Sequence, residues 1–319
     1  MDLMENLAAK AKEANRVIVF PEGGDPAIQE AALRLAGEGL ARPVLLGSAQ
    51  FKGQEDIPVI EPEASPDLAR YVDLYCQERE MSQGVGERIV SQPLCFAAMM
   101  VKTGDAHGMV AGIAHPTEEV IMASELIIGL ESGISLASSF FVMQVPGFSG
   151  GEDGLLVFAD PAVNPDPDPE QLADIAISTA QSAQALLGWE PRVAMLSFST
   201  LGSAEHPLVE KVIKATQLAR AKAPTLLIEG ELQADAALVE GVARKKIKTQ
   251  SAVGGRANIL IFPDLNAANI SAKLVQRLAG AASYGPVLQG FARPVSDLSR
   301  GASAEDVVGA ALMVAARSK

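Results

Sequence analysis

Cysteine is scarce: Cys76 and Cys95 are the only two in 319 residues. Two thiols cannot supply a four-thiolate metal site or a disulfide framework, so reduced, cytoplasmic thiols are the default expectation. Aromatic residues make up only 4% of the chain, while apolar residues reach 48%. Cores must therefore be built from Ala, Val, Leu, Ile and Met, side chains that suit helices packed closely on a buried sheet. Positive charge is also in deficit, with 26 Lys and Arg against 39 Asp and Glu and a formal net charge of -13. Such a surface repels phosphate backbones and anionic lipid, which argues against extended nucleic-acid or membrane binding and leaves room for a local basic pocket. Long apolar runs are missing too. Nothing approaches the roughly 18 to 20 apolar residues of a membrane span, and the opening MDLMENLAAKAKEANR mixes acids and bases with helical periodicity, unlike an export signal.

What is present is alternation. After the first helix, RVIVF (16 to 20) reads as a strand, PEGGDPAIQEAALRLAGEG as a turn and helix, and PVLLG (43 to 47) as the next strand. Helical stretches around 66 to 81 and 92 to 103 lead to the short strand GMVAG (108 to 112) and a helix from about Glu118 to Leu130. This order implies βαβ units and a parallel sheet. SLASSFFVMQV (135 to 145) and LLVFAD (155 to 160) then read as a hairpin around PGFSGGEDG. A second alternating series follows, with a helix after the Pro-rich turn PDPDPE, the strand RVAMLSF (192 to 198), the helix HPLVEKVIKATQLARAKA, and the strands LLIEGEL and ANILIFP. The change near 130 to 155 predicts two α/β lobes facing a cleft.

Several motifs carry candidate chemistry. GFSGG (147 to 151) fits a nucleophile elbow, but that motif needs a helix after Ser149, and EDGLLVFAD reads as a strand; a Gly-rich hairpin loop is the plainer reading. Asp105, His107 and His115 invite a metal reading, yet the two histidines lie eight residues apart across a strand, so turn and loop polar residues fit better. Cys95 sits in the apolar run PLCFAAMM as a small core residue. Neither a dinucleotide fingerprint nor a Walker A loop occurs. Polar, Gly-containing loops follow predicted strands at LSFSTLGSAEHP, GELQADAALV and FPDLNAANI, where an open α/β sheet places its ligands. Near the end, DLSRGASAED precedes a helix starting near Ala304. Ser303 and Asp306 have capping-box spacing there, while Ser299, Arg300 and Gly301 before the helix start suit a phosphate or an oxyanion.

The segments FPEGGD, KTGDAHGMVAG, RVAMLSFSTLGSAEHP, GELQADAALV, ANILIFPDLNAANI, KLVQRLAG and YGPVLQGFARPVSDLSRG resemble, in order and spacing, those of the phosphate acetyltransferases, or phosphotransacetylases, over nearly the whole chain. The related phosphate butyryltransferases and the acyl-CoA-sensing domain of some malic enzymes share this fold, but DLSRG and STLGSA look closer to the acetyltransferases. The resemblance implies two α/β lobes with mainly parallel sheets facing an interdomain cleft, like isocitrate and isopropylmalate dehydrogenases. Residues 1–131 plus 290–319 would form the first lobe and 132–289 the second. It also implies a cytoplasmic homodimer that exchanges acetyl between CoA and inorganic phosphate, with acetyl phosphate as the other product. CoA and acetyl-CoA are substrates in this family, with no permanently bound cofactor, no metal and no nucleic-acid or membrane partner. Asp306 takes the place of the proposed base, Ser299 and Arg300 of the residues on the phosphoryl group and carbonyl oxygen, and Arg79 of a CoA-recognising arginine. Thr200, Gly202, Ser203 and Tyr284 fall in motifs assigned to substrate binding.

The implied chemistry makes sense in residue terms. A thiol of pKa about 8.5 is a weak nucleophile until deprotonated, and a carboxylate of pKa near 4 takes that proton only if burial raises its pKa or transfer is concerted with attack. Three departures bear on efficiency. The family's arginine in a TLRPA-like stretch is Met122 here, the lysine of STKGSA is Leu201, and the cysteine of SRGCS is Ala302. The family's DADG has become Asp105-Ala106-His107, and its NIGYK has become Ile270-Ser271-Ala272-Lys273. These changes keep two alternatives open: a transferase for a longer acyl group, and a weakly catalytic acyl-CoA-binding regulatory subunit.

Overall fold

The protein is described by a computed structural model that covers residues 3–47 and 56–318. The chain divides into two compact units, one of Met1–Glu131 with Phe291–Lys319, the other of Ser132–Gly290. The first unit opens with strands β1 (Val17–Phe20), β2 (Arg42–Leu46), β3 (Val59–Ile60) and β4 (Gly108–Ala111). The second holds β5 (Ser138–Gln144), β6 (Leu155–Ala159), β7 (Arg192–Leu196), β8 (Leu227–Leu232), β9 (Ile259–Ile261) and β10 (Ala282–Gln289). The chain then returns to the first unit with β11 (Val295–Asp297).

In the first unit the order β11-β4-β1-β2-β3 is parallel throughout. Ile18, Val19 and Phe20 are fully buried, an unbroken apolar run as expected for a strand covered on both faces. Burying each such side chain contributes about 1.5–3 kcal/mol before entropy is subtracted. Helix Pro26–Gly37 begins where Asp25 accepts hydrogen bonds from Ala27 N and Ile28 N, with Pro26 at its first position. The last helix, Ala304–Arg317, is buried from Val307 to Ala315 and packs on helix Leu3–Ala14 and on helix Pro26–Gly37.

In the second unit the order is β10-β5-β6-β9-β7-β8. β5 and β6 form the antiparallel hairpin and the remaining pairs from β6 to β8 are parallel. Helix Pro169–Leu187 starts with a capping box between Asp168 and Gln171 and ends at Gly188 in the left-handed conformation. The edge strand β10 has no counterpart in the sequence pattern, because Gly285-Pro286 reads as a turn. The register shift between Tyr284 and Val287 absorbs that dipeptide without ending the pairing to β5. Helix Gln83–Val90 was also hidden, its pattern interrupted by Gly84 and Gly86. Among the described residues, no helix is long and apolar enough to cross a membrane.

β1, β4 and β11 are adjacent and parallel, so their carboxyl ends lie side by side. The loops that leave them carry Glu22, residues 112 to 117, and Leu298 to Arg300. This is where an open α/β sheet collects ligand-binding groups.

Candidate active site

Glu22 organises this end of the first sheet. It is 7% exposed, and its carboxylate accepts from the backbone N–H groups of Gly112, Ile113, Ala114 and His115 at 2.7–3.2 Å. His115 Nδ1 lies 2.8 Å from Glu22 Oε1 and must be the donor, because a carboxylate only accepts. The loop after β4 is thereby wrapped around one buried anion. Gly112 has φ +114°, and a Cβ there would stand 2.2 Å from Asp297 Oδ1 and 2.6 Å from Leu298 O. Only glycine lets the β4 loop pass this close to the β11 end.

A cavity of about 450 Å³ opens beside that loop, lined by Gly112, His115, Pro116, Thr117, Glu118, Leu298, Ser299 and Arg300. Thr117 starts helix Thr117–Ile127, which has no side-chain cap, so first-turn N–H groups face this end. Ser299 and Arg300 are both exposed, and the Arg300 guanidinium has no hydrogen bond or ion pair among the described residues. Beneath the cavity, Asp297 is 6% exposed; its Oδ2 accepts from the Thr117 hydroxyl at 2.5 Å and its Oδ1 has no partner among the described residues. Burial, with the nearby Glu22 charge, pushes the Asp297 carboxyl up to about 6 against the opposing Thr117 hydrogen bond.

Asp306 stands at the start of the last helix. Its Oδ2 accepts from Ser303 N at 2.8 Å and from Ser303 Oγ at 2.7 Å, and its own N–H reaches Ser303 Oγ at 3.3 Å, which completes the capping box. Asp306 Oδ1 is left without a partner among the described residues. Asp306 is exposed at the helix start.

The other sequence candidates have local employment. Arg79 is exposed at the end of helix Leu68–Arg79, and its guanidinium donates to the carbonyl of Leu126 in the last turn of helix Thr117–Ile127. In the second unit, buried Glu231 accepts from Ser199 Oγ at 2.8 Å and from Gly202 N at 2.7 Å, which pins the loop after β7. Thr200 is buried and accepts from Gln233 N at 3.1 Å, while Ser203 Oγ accepts from Thr200 N at 2.9 Å. Leu201 sits on the same loop at φ +45° and is 42% exposed. Tyr284, on β10, donates its hydroxyl to Gln144 Oε1 at 3.1 Å.

The rejected motifs have plain roles. Ser149 lies in the loop of the β5–β6 hairpin, so the strand-to-helix elbow is absent. His107 Nδ1 accepts from Val17 N at 3.2 Å, while His115 serves Glu22. Asp105 holds Arg70 and Tyr71 at 2.7 and 2.8 Å. Cys95 is buried, and burial pushes its thiol up to about 11. Three residues of the cavity region escaped the sequence reading: Glu22, Thr117 and Asp297. Each is an acid or hydroxyl at the carboxyl end of a strand or in the segment that follows it, a signal visible only once β1, β4 and β11 are known to be neighbours.

The family model described as "Phosphate acetyl/butaryl transferase" matches residues 2–315. A phosphate acetyltransferase of Acetivibrio thermocellus is 44% identical over 329 aligned positions, spanning 100% of this chain and 99% of that protein. A solved phosphotransacetylase from Streptococcus pyogenes superposes with a TM-score of 0.92 at 39% identity, covering 98% of this chain and 97% of that one. A 4-hydroxythreonine-4-phosphate dehydrogenase from Klebsiella pneumoniae shares the fold alone, at 12% identity and a TM-score of 0.54 over 96% of this chain and 98% of that one. With sequence matched along its length and architecture matched to a solved phosphotransacetylase, this chain belongs to the phosphate acetyl/butaryl transferase family.

Proposed function

We propose that this chain is a phosphate acetyltransferase that reversibly converts acetyl-CoA and phosphate into acetyl phosphate and CoA, with the Ser299–Arg300 cavity as its phosphate site. The carrying observation is the unpaired Arg300 guanidinium beside Ser299, in a cavity whose far wall is an uncapped helix start. A guanidinium with no partner among the described residues, a hydroxyl and first-turn N–H groups are the donor set that a tetrahedral dianion requires. Full-length similarity to phosphate acetyltransferases supports acetyl as the group transferred.

In the direction of acetyl-CoA synthesis, the CoA sulfur attacks the acetyl carbonyl, a C–S bond forms, and the C–O bond to phosphate breaks. Asp306 takes the thiol proton through its free Oδ1 while Ser303 holds Oδ2. Arg300 stabilises the tetrahedral oxyanion and the departing phosphate. In the reverse direction phosphate oxygen attacks the thioester, and Asp306 returns the proton to the leaving thiolate. Arg79, Thr200, Gly202, Ser203 and Tyr284 remain the candidates for CoA and acyl contacts, and the working form is a cytoplasmic homodimer. Sedimentation as a monomer at assay concentration would remove the dimer from this reading.

Phosphate-dependent release of CoA from acetyl-, propionyl- and butyryl-CoA tests the activity. Turnover with acetyl-CoA is expected; CoA binding without turnover favours the regulatory reading, whose support is that exposed Met122 and Leu201 stand where the family resemblance expects cations. Asp306→Asn keeps an oxygen for the cap and should lower turnover by about 10² or more. Ser303→Ala removes the cap, should cost about 1 kcal/mol of stability, and should leave far more turnover per folded molecule. Equal losses in the two variants would reduce Asp306 to a cap.

A further inference from the structure

Asp297 lies beneath the cavity and takes no part in the chemistry just described. The four N–H groups of the adjoining loop, from Gly112 to His115, point to Glu22 and are unavailable to an anion. Of the cavity's side-chain donors, Ser299 and Arg300 are uncommitted, whereas the Thr117 hydroxyl spends its only proton on Asp297 Oδ2. A hydroxyl in that state turns lone pairs outward, and lone pairs repel a phosphate oxygen.

We propose that Asp297 is a positioning residue for phosphate: a proton on its carboxyl reverses the Thr117 hydrogen bond, so that Thr117 then donates to the anion in the cavity. With Asp297 protonated on Oδ2, its O–H donates to Thr117 Oγ, and the Thr117 proton is free to rotate toward the cavity. The proton is only relocated, so no other reactant is needed. The inference rests on the reading of this cavity as the phosphate site. Glu22 from the β1 end is the charged group that acts on Asp297, and His115 from the β4 loop, Glu118 on the helix start and Arg300 from the β11 end line the cavity above it. Glu22 favours the protonated form, as does burial, and the carboxyl at about 6 stands within reach of neutral pH. A phosphate entering the cavity adds negative charge and favours that proton further.

The experiment is the phosphate KM from pH 5.5 to 8, expressed per concentration of phosphate dianion, in wild type, Asp297→Asn, Thr117→Val and Thr117→Ser. The wild-type KM should rise about tenfold across this range, the effect of losing one hydrogen bond to a charged group. Asp297→Asn presents a fixed N–H to Thr117 and should hold KM low and flat with pH. Thr117→Val should raise KM about tenfold at pH 5.5 and flatten the profile, and Thr117→Ser should restore the wild-type slope. A flat wild-type profile, an unchanged slope in Asp297→Asn, or a Thr117→Val profile matching wild type would overturn the proposal. If Asp297→Asn fails to fold, the Val and Ser pair decides. Arg300→Ala separates the two levels. An unaltered phosphate KM there means that the cavity is not the phosphate site, whereas a raised KM beside an unresponsive Asp297 overturns this inference alone.

Discussion

Glu22→Gln tests whether one buried carboxylate assembles the cavity. In the wild type Oε1 receives Ala114 N at 2.7 Å, His115 N at 2.9 Å and His115 Nδ1 at 2.8 Å, while Oε2 receives Gly112 N at 3.0 Å and Ile113 N at 3.1 Å. Glutamine keeps one oxygen and replaces the other with an N–H₂ group. If the oxygen stays on the crowded Oε1 side, the amide donors meet the N–H groups of Gly112 and Ile113; Ile113 is orphaned, and Gly112 keeps only its longer 3.2 Å bond to the Oε1 position. An orphaned group costs about 1–3 kcal/mol, and the bonds that survive lose charge assistance, so about 3–5 kcal/mol is expected in all. Calorimetry should show the transition of the first unit lowered by about 6–20 °C, at the usual 2–4 °C per kcal/mol for units of this size. Because the same loop floors the cavity, the phosphate KM should rise as well, while CoA affinity changes less. A melting temperature within about 1 °C of wild type, with an unaltered phosphate KM, would show that Glu22 does not hold this loop.

Gly112→Ala should cost about 3 kcal/mol or more, since it forces a Cβ onto Asp297 Oδ1 at a φ of +114°, and chemical denaturation measures it. The Asp297 carboxyl is raised, so the folded state binds a proton more tightly than the unfolded chain. Stability therefore falls as pH rises from about 4 to about 6, by roughly 3 kcal/mol for a two-unit shift, and Asp297→Asn should remove that slope from denaturation curves taken across this window. Cys95, buried and held up at about 11, should resist alkylation at pH 8 in the native protein and react at the rate of a free thiol in denaturant. Met122→Arg places a cation on an exposed position of helix Thr117–Ile127, and steady-state kinetics should show the phosphate KM lowered about tenfold if that position faces substrate.

The sequence disclosed elements that speak through local pattern. VIVF, the Asp25-Pro26 helix start, the β5–β6 hairpin and the Ser303–Asp306 cap each follow from spacing within a few residues. Its motifs also located Ser299 and Arg300, which the structure brings together at one cavity. Glu22, Thr117 and Asp297 stayed hidden because their meaning lies in contacts 90 and 180 residues apart in the chain. No window on the sequence contains both partners. β10 was concealed for a different reason: its Gly-Pro carries a turn signal that long-range pairing to β5 overrides.

The return of the chain to place β11 beside β4 has a consequence for biosynthesis. Residues 132–290 form an unbroken insert between the two parts of the first unit. On the ribosome, every residue of that insert emerges before β11 and helix Ala304–Arg317, so the second unit is free to fold while the first still lacks an edge strand and its covering helix. The apolar surfaces of helix Leu3–Ala14, helix Pro26–Gly37 and β4 on which this helix packs stay open to chaperones until it is made. Assembly of the cavity lined by Ser299 and Arg300 therefore waits for synthesis of the second unit, since both residues lie in the returning segment.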